Sequence, residues 1–250
     1  MGAIIALQLY TVRDETARDF SSTLRRVAEI GYTAIEFAGY GNLPSRDMAA
    51  LLAETGLQAI GSHVRLPALE KDFDREINYS LDIGCTLLVI PSLEPKWRTS
   101  AGIKRLSIIL NEYGHRAQER GVTLAYHNHD FEFRSDTAGE RMIDVLTAST
   151  DPSLLKLELD TFWATLAGAD PIGFMHKHSG RIVALHLKDM TPDRTFTEVG
   201  DGTLDIAGYT RVAQANGIST FIVEHDNPGI PSLASARRSF NNIHGSLKWW

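Results

Sequence analysis

Six times along the chain a glycine closes a helix-like stretch and a short apolar run follows. Gly31, Gly56, Gly84, Gly121, Gly180 and Gly217 precede the runs 34–37, 57–60, 87–90, 122–125, 182–185 and 218–223. Glycine suits the left-handed position that ends a helix, and runs rich in Ile, Val and Leu suit parallel strands covered on both faces. Each repeat therefore reads as a helix followed by a strand. Between the runs the period is helical: Phe20, Leu24, Val27 and Ala28 share one face, as do Leu106, Leu110 and Tyr113, and Ser45 after Pro44 is placed as an N-cap. With the runs 4–9 and 154–159 the strand count reaches eight. Eight alternating units without a Pro/Gly/Ser-rich linker predict a single-domain (β/α)8 TIM barrel over residues 1–250. The rival, a doubly wound open sheet, lacks a G-x-G-x-x-G after the first strand.

In such a barrel chemistry sits where the strands end, so the residues following each run matter most. They are Gln8 and Tyr10, Glu36, His63, then His127, His129 and Glu132, then Asp160, His186 with Lys188, and Glu224 with His225. The fourth strand ends in Pro91 and Ser92 and contributes little. Five of the nine histidines fall at these ends; His115, His176, His178 and His244 fall on predicted helices. Imidazoles and carboxylates gathered in one basin need something cationic between them, and one divalent metal ion is the simplest candidate.

Asp160, His186 and Glu224 are the first three expected ligands. Glu158 is assigned outward, or to capping the next helix. The fourth ligand is open between His127, which shares parity with His129, and Glu132, which must fold back from the loop; Glu132 is preferred. Three carboxylates and one histidine suit Mn²⁺ or Mg²⁺, with Mn²⁺ favoured, whereas two of each tilt towards Zn²⁺ or Co²⁺. His63, Lys188, Gln8, Tyr10, Glu36 and His127 are candidates for substrate contacts.

Charge narrows the partners. A formal net charge of -6 and the absence of a basic block argue against nucleic acid and anionic membranes. Cys85 is the only cysteine, so no intramolecular disulfide forms and a buried, inert thiol is expected. The start resembles no signal peptide and no long apolar run follows, giving a cytoplasmic expectation; a homo-oligomer is compatible with all of this. The glycine-rich stretch 198–203 lacks the lysine and spacing of a phosphate loop and reads as a tight turn.

The segments 7–14, 31–39, 61–63, 126–133, 159–161, 185–189 and 223–224 together resemble the sugar phosphate isomerase/epimerase superfamily of xylose-isomerase-like barrels, across essentially the whole chain. That resemblance implies one divalent metal held by a carboxylate from strand 5, Asp160, His186 and Glu224. It further implies a sugar or keto-sugar substrate and an enediolate formed by proton transfer. Two departures stand out: Tyr126 and His127 close strand 5 where epimerases have a glutamate, and Trp163 stands where many members have a histidine. The second departure weakens a relation to endonuclease IV.

On this reading the chain is an isomerase or epimerase. Glu224 pairs with Glu132 or His129 as acid and base, His63 and Lys188 grip substrate oxygens, and Trp163 walls the sugar ring. The alternative is a metal-dependent dehydratase or lyase acting on 3-keto sugars or inosose-like substrates. A metal-dependent endonuclease and a non-catalytic sugar-binding barrel rank below both.

Overall fold

The computed structural model describes residues 2–135 and 139–245. Eight parallel strands close into a barrel: β1 (Ile4–Gln8), β2 (Ala34–Phe37), β3 (Gln58–His63), β4 (Leu87–Ile90), β5 (Thr123–His127), β6 (Leu155–Asp160), β7 (Ile182–Leu187) and β8 (Thr220–Val223). Each strand pairs with its sequence neighbours, and β1 pairs with β8 to complete the ring. A two-stranded antiparallel ribbon, Asp189–Met190 with Phe196–Thr197, follows β7. No helix among the described residues is long and apolar enough to cross a membrane.

The repeated glycine is the local cause of this order. All six closing glycines have positive φ, from 71° at Gly56 to 120° at Gly31, a region that side chains with a Cβ resist. The helices Phe20–Ile30 and Ser100–Glu119 bury the predicted faces through Leu24 and Val27, and through Leu106 and Leu110. Ser45 does not cap its helix. Its hydroxyl instead donates to Asp82 across 2.6 Å, and Pro44 occupies the N-cap position.

Period two along the strands divides the barrel into two interiors. Large residues such as Leu7, Ile35, Phe37, Leu88, Leu185 and Phe221 face the helices and form the main core. The barrel axis holds a separate, smaller cluster: Ala6, Ala34, Ala184 and Ile222, with Ile4 and Ile60 against it. Two residues beyond each of the first four stand Gln8, Glu36, His186 and Glu224. The same step from Ala125 reaches His127. Small side chains at the floor thus leave room above for long polar ones.

Glu158 corrects the sequence expectation. It shares parity with Asp160, is fully buried, and turns into the barrel rather than outward. The strands β3, β5, β6 and β7 also run further than their apolar stretches, because these polar ends still pair in the ladder.

Gly61 shapes this layer by lacking a side chain, since a Cβ there would collide with Glu36 Oε1. We expect Gly61→Ala to lower stability by about 1–3 kcal/mol through overpacking, read from denaturant unfolding. An unchanged midpoint would show that Glu36 can move aside.

Candidate metal centre

Above the alanine floor the inward side chains form two storeys. The lower storey holds Gln8, Glu36, His63 and Glu158. Gln8 Nε2 donates to Glu36 Oε2 at 2.7 Å, while its Oε1 accepts from the Tyr10 amide at 3.1 Å. His63 Nε2 lies 2.9 Å from Glu158 Oε1 and 3.2 Å from Glu36 Oε2. The upper storey holds Asp160, Glu224 and Lys188, whose ammonium sits 3.0 Å from Asp160 Oδ2 and 2.8 Å from Glu224 Oε2. Asp226, on the loop after β8, accepts from the same ammonium at 2.9 Å.

His127 and His186 join the storeys. His186 Nδ1 lies 2.8 Å from Glu224 Oε2, and its Nε2 lies 2.8 Å from Glu36 Oε2 and 2.9 Å from Glu158 Oε1. His127 Nδ1 is 3.0 Å from Glu158 Oε1, and its Nε2 is 3.8 Å from Asp160 Oδ2. Two sets of four donors result, each with its atoms within 4.8 Å of one another. One is His127, Asp160, His186 and Glu224; the other is His63, His127, Glu158 and His186.

Strand pairing sets this geometry. Asp160 lies opposite His186 in the β6–β7 ladder, His127 opposite Glu158 in the β5–β6 ladder, and Gln8 opposite Glu36 in the β1–β2 ladder. Asp160 is further fixed as the N-cap of the helix Thr161–Leu166. Its Oδ1 accepts from the Trp163 amide at 2.9 Å, and its backbone is bracketed by the Asn128 side chain.

The structure brings the donor atoms of Asp160, His186 and Glu224 together with that of His127, and Glu132 lies outside this group. The loop does fold Glu132 back, but onto its own segment: Oε1 accepts from the Tyr126 hydroxyl at 2.6 Å and Oε2 from the His129 amide at 2.7 Å. Glu132 therefore organises the loop from outside both donor sets. Tyr10 is 41% exposed beneath the Arg13 guanidinium, apart from the cluster. Trp163 stands over Lys188 and beside His129, with ring centroids 5.5 Å apart for the latter pair. Phe196 packs against both Trp163 and His225, so one wall of the mouth is aromatic. Sequence reasoning missed Glu158, although strand parity points to it, and Asp226, which lies in a loop without periodicity.

The electrostatics follow from burial. Glu36, Glu158, Asp160 and Glu224 are at most 5% exposed. Burial disfavours protonated His63, but Glu36 and Glu158 outweigh it and lift the imidazole to about 10. Against the same burial, Glu158 raises His186 well above its ordinary value. Burial, reinforced by His186 and His63, holds His127 well below, and burial lowers His129 to about 3. Burial opposes ionisation of Glu224, yet Lys188 and His186 keep it well below the usual carboxylate range.

Protons and Lys188 do not satisfy everything. Glu36 Oε1 and Glu158 Oε2 are buried without a hydrogen-bond partner, while Asp160 Oδ2 is answered by the Lys188 ammonium at 3.0 Å. The fit to a divalent ion rests on the donor set itself: two imidazoles and two carboxylates with ligand atoms within 4.8 Å of one another, the two acids sharing one lysine.

Burial also raises Glu132 to about 7 from an ordinary 4.5, against the opposing bonds from Tyr126 and the His129 amide. A carboxyl that binds its proton better when folded costs stability as pH rises from about 4.5 to about 7, and no more above that; linkage bounds the effect at about 3 kcal/mol. We expect Glu132→Gln to flatten the fall in melting temperature across this window. A slope equal to that of the unsubstituted protein would show that Glu132 does not cause it.

Known proteins share this architecture. The chain is 31% identical over 229 residues to an inosose dehydratase of Geobacillus kaustophilus, covering 73% of this chain and 71% of that one. It spans about half the length of the other inosose dehydratases it matches. A sugar phosphate isomerase/epimerase structure from Parabacteroides distasonis superposes with a TM-score of 0.86 at 25% identity, covering 98% of this chain and 99% of that one. The structure of an IolI protein with a bound zinc atom shares the fold, with a TM-score of 0.73 at 15% identity over 96% and 97% of the two chains. A family model described as xylose isomerase-like TIM barrel matches residues 24–244, and the chain belongs to that family.

Proposed function

We propose that the chain is a divalent-metal-dependent enzyme that isomerises or epimerises a sugar or keto-sugar by moving a proton on the carbon beside a carbonyl. The observation that carries this is the convergence of His127, Asp160, His186 and Glu224 at the strand ends, with their donor atoms within 4.8 Å of one another. These four would hold the ion. When bound, it would supply a Lewis acid that polarises a substrate carbonyl and stabilises the enediolate left by loss of the α-proton.

The remaining residues do the orienting and the proton handling. Lys188 keeps its charge among Asp160, Glu224 and Asp226 and can hold a substrate oxygen. His129, on the loop beside His127 and against Trp163, is assigned with Glu224 to the proton transfer by its position; burial weakens it as a base until substrate or ion changes its surroundings. Glu224 is its partner at the opposite strand end. Trp163 and Phe196 exclude water from one side and offer a face to an apolar ring surface.

Two histidines and two carboxylates shift the expected ion from manganese towards zinc or cobalt, because imidazole replaces a hard oxygen donor. We expect zinc and cobalt to bind more tightly than manganese in calorimetry; the reverse order would restore an oxygen-rich ligand set. Asp160→Asn and His186→Ala should each lose more than the roughly 10–100-fold in affinity typical of groups one bond further from an ion. Retained affinity in both would remove the site.

A second reading is favoured by the similarity to inosose dehydratase: the same proton abstraction followed by expulsion of a β-hydroxyl, on a keto-inositol or 3-keto sugar. Incubation of the metal-loaded protein with such ketones in deuterated water separates the two. Deuterium at the α-carbon without loss of water supports isomerisation or epimerisation, whereas loss of one water supports the dehydratase. Neither exchange nor water loss across a panel of ketoses and keto-inositols would overturn both.

A further inference from the structure

Glu158 gathers more imidazole than any other group here. Its Oε1 lies 2.9 Å from His63 Nε2, 3.0 Å from His127 Nδ1 and 2.9 Å from His186 Nε2. A neutral imidazole has one N–H and one lone pair, and only the lone pair can bind a metal. Whichever nitrogen gives its proton to Glu158 therefore decides which nitrogen remains for the ion.

The neighbours favour one arrangement. Glu158 Oε1 is approached only by histidine nitrogens, and an ionised carboxylate only accepts, so it requires their protons. Glu36 Oε2, 2.8 Å from His186 Nε2, adds a second acceptor at the same nitrogen. At the other side of that ring, Glu224 Oε2 has a donor of its own in Lys188 Nζ at 2.8 Å and does not need the Nδ1 proton. His127 Nε2 faces Asp160 Oδ2 across 3.8 Å, too far for a hydrogen bond.

Resting on the metal-dependent reading above, we propose that Glu158 is a positioning residue. It takes the N–H of His127 Nδ1 and His186 Nε2, and so presents His127 Nε2 and His186 Nδ1 to an ion shared with Asp160 and Glu224. The lower storey is then a tautomer lock for the upper one, and the second set of four donors is its hydrogen-bonded support, not a second metal position. Glu36, held by Gln8 and fitted against Gly61, backs the same His186 proton.

The test uses the full chain loaded with zinc and labelled with nitrogen-15 at histidine. Ring correlation spectra are expected to show protons on His127 Nδ1 and His186 Nε2, with the opposite nitrogens bound to metal. Zinc bound through His127 Nδ1 and His186 Nε2 would overturn this role alone, since the ion would then occupy the lower set. An unsubstituted protein that binds no zinc overturns the metal-dependent reading and the role with it. As a second arm, Glu158→Gln should weaken zinc by about 10–100-fold in competition with a chromophoric chelator, and both ring N–H signals should exchange faster with water. Unchanged affinity in a folded Glu158→Gln protein overturns the proposal; should that variant not fold, the spectra of the unsubstituted protein decide.

Discussion

Negative charge buried at one end of the barrel is the constraint on which the rest of the structure depends. Four carboxylates from β2, β6 and the end of β8 sit almost without solvent, where an isolated ion is costly by several kcal/mol even after relaxation. Each is answered locally: Gln8 and His186 for Glu36, three imidazoles for Glu158, Lys188 for Asp160 and Glu224. The alanine floor belongs to the same arrangement, because side chains as long as Glu and Lys fit inside a narrow barrel only where the layer beneath is small.

The barrel was legible because a helix-closing glycine precedes six of the eight apolar runs, and each of the six has the positive φ that makes glycine the fitting residue there. Strand ends were harder to place. His127 and Asp160 are polar and so look like loop, yet they still pair in the ladder. Their position at the ends of the apolar runs was enough to place Asp160, His186 and Glu224 at one rim of the barrel. That His127 and not Glu132 lies among these side chains was not legible, because it turns on how residues 128–135 fold and on the Tyr126 hydroxyl that Glu132 accepts from. Glu158 was misplaced although it stands two residues from Asp160; a strand buried on both faces can carry two inward acids when histidines from its neighbours meet them.

Family membership and site geometry constrain different parts of the activity. Isomerisation, epimerisation and dehydration share the removal of a proton beside a carbonyl, and the converged donors speak to that shared step. The walls of the mouth differ in character: Trp163, Phe196, His129 and His225 make an aromatic side, and Asp226 with Lys188 a charged one. The aromatic side is carried partly by the ribbon after β7. Asp189 anchors the loop that follows the ribbon by accepting from the amides of Gly200, Gly202 and Leu204.

The close approach of Gly61 to Glu36 ties two neighbouring strands to one another: the backbone of β3 forms one wall of the slot in which the β2 carboxylate lies. A methyl group at 61 would press first on that carboxylate, and through it on Gln8 and His186, so a change on β3 would be felt on β1 and β7.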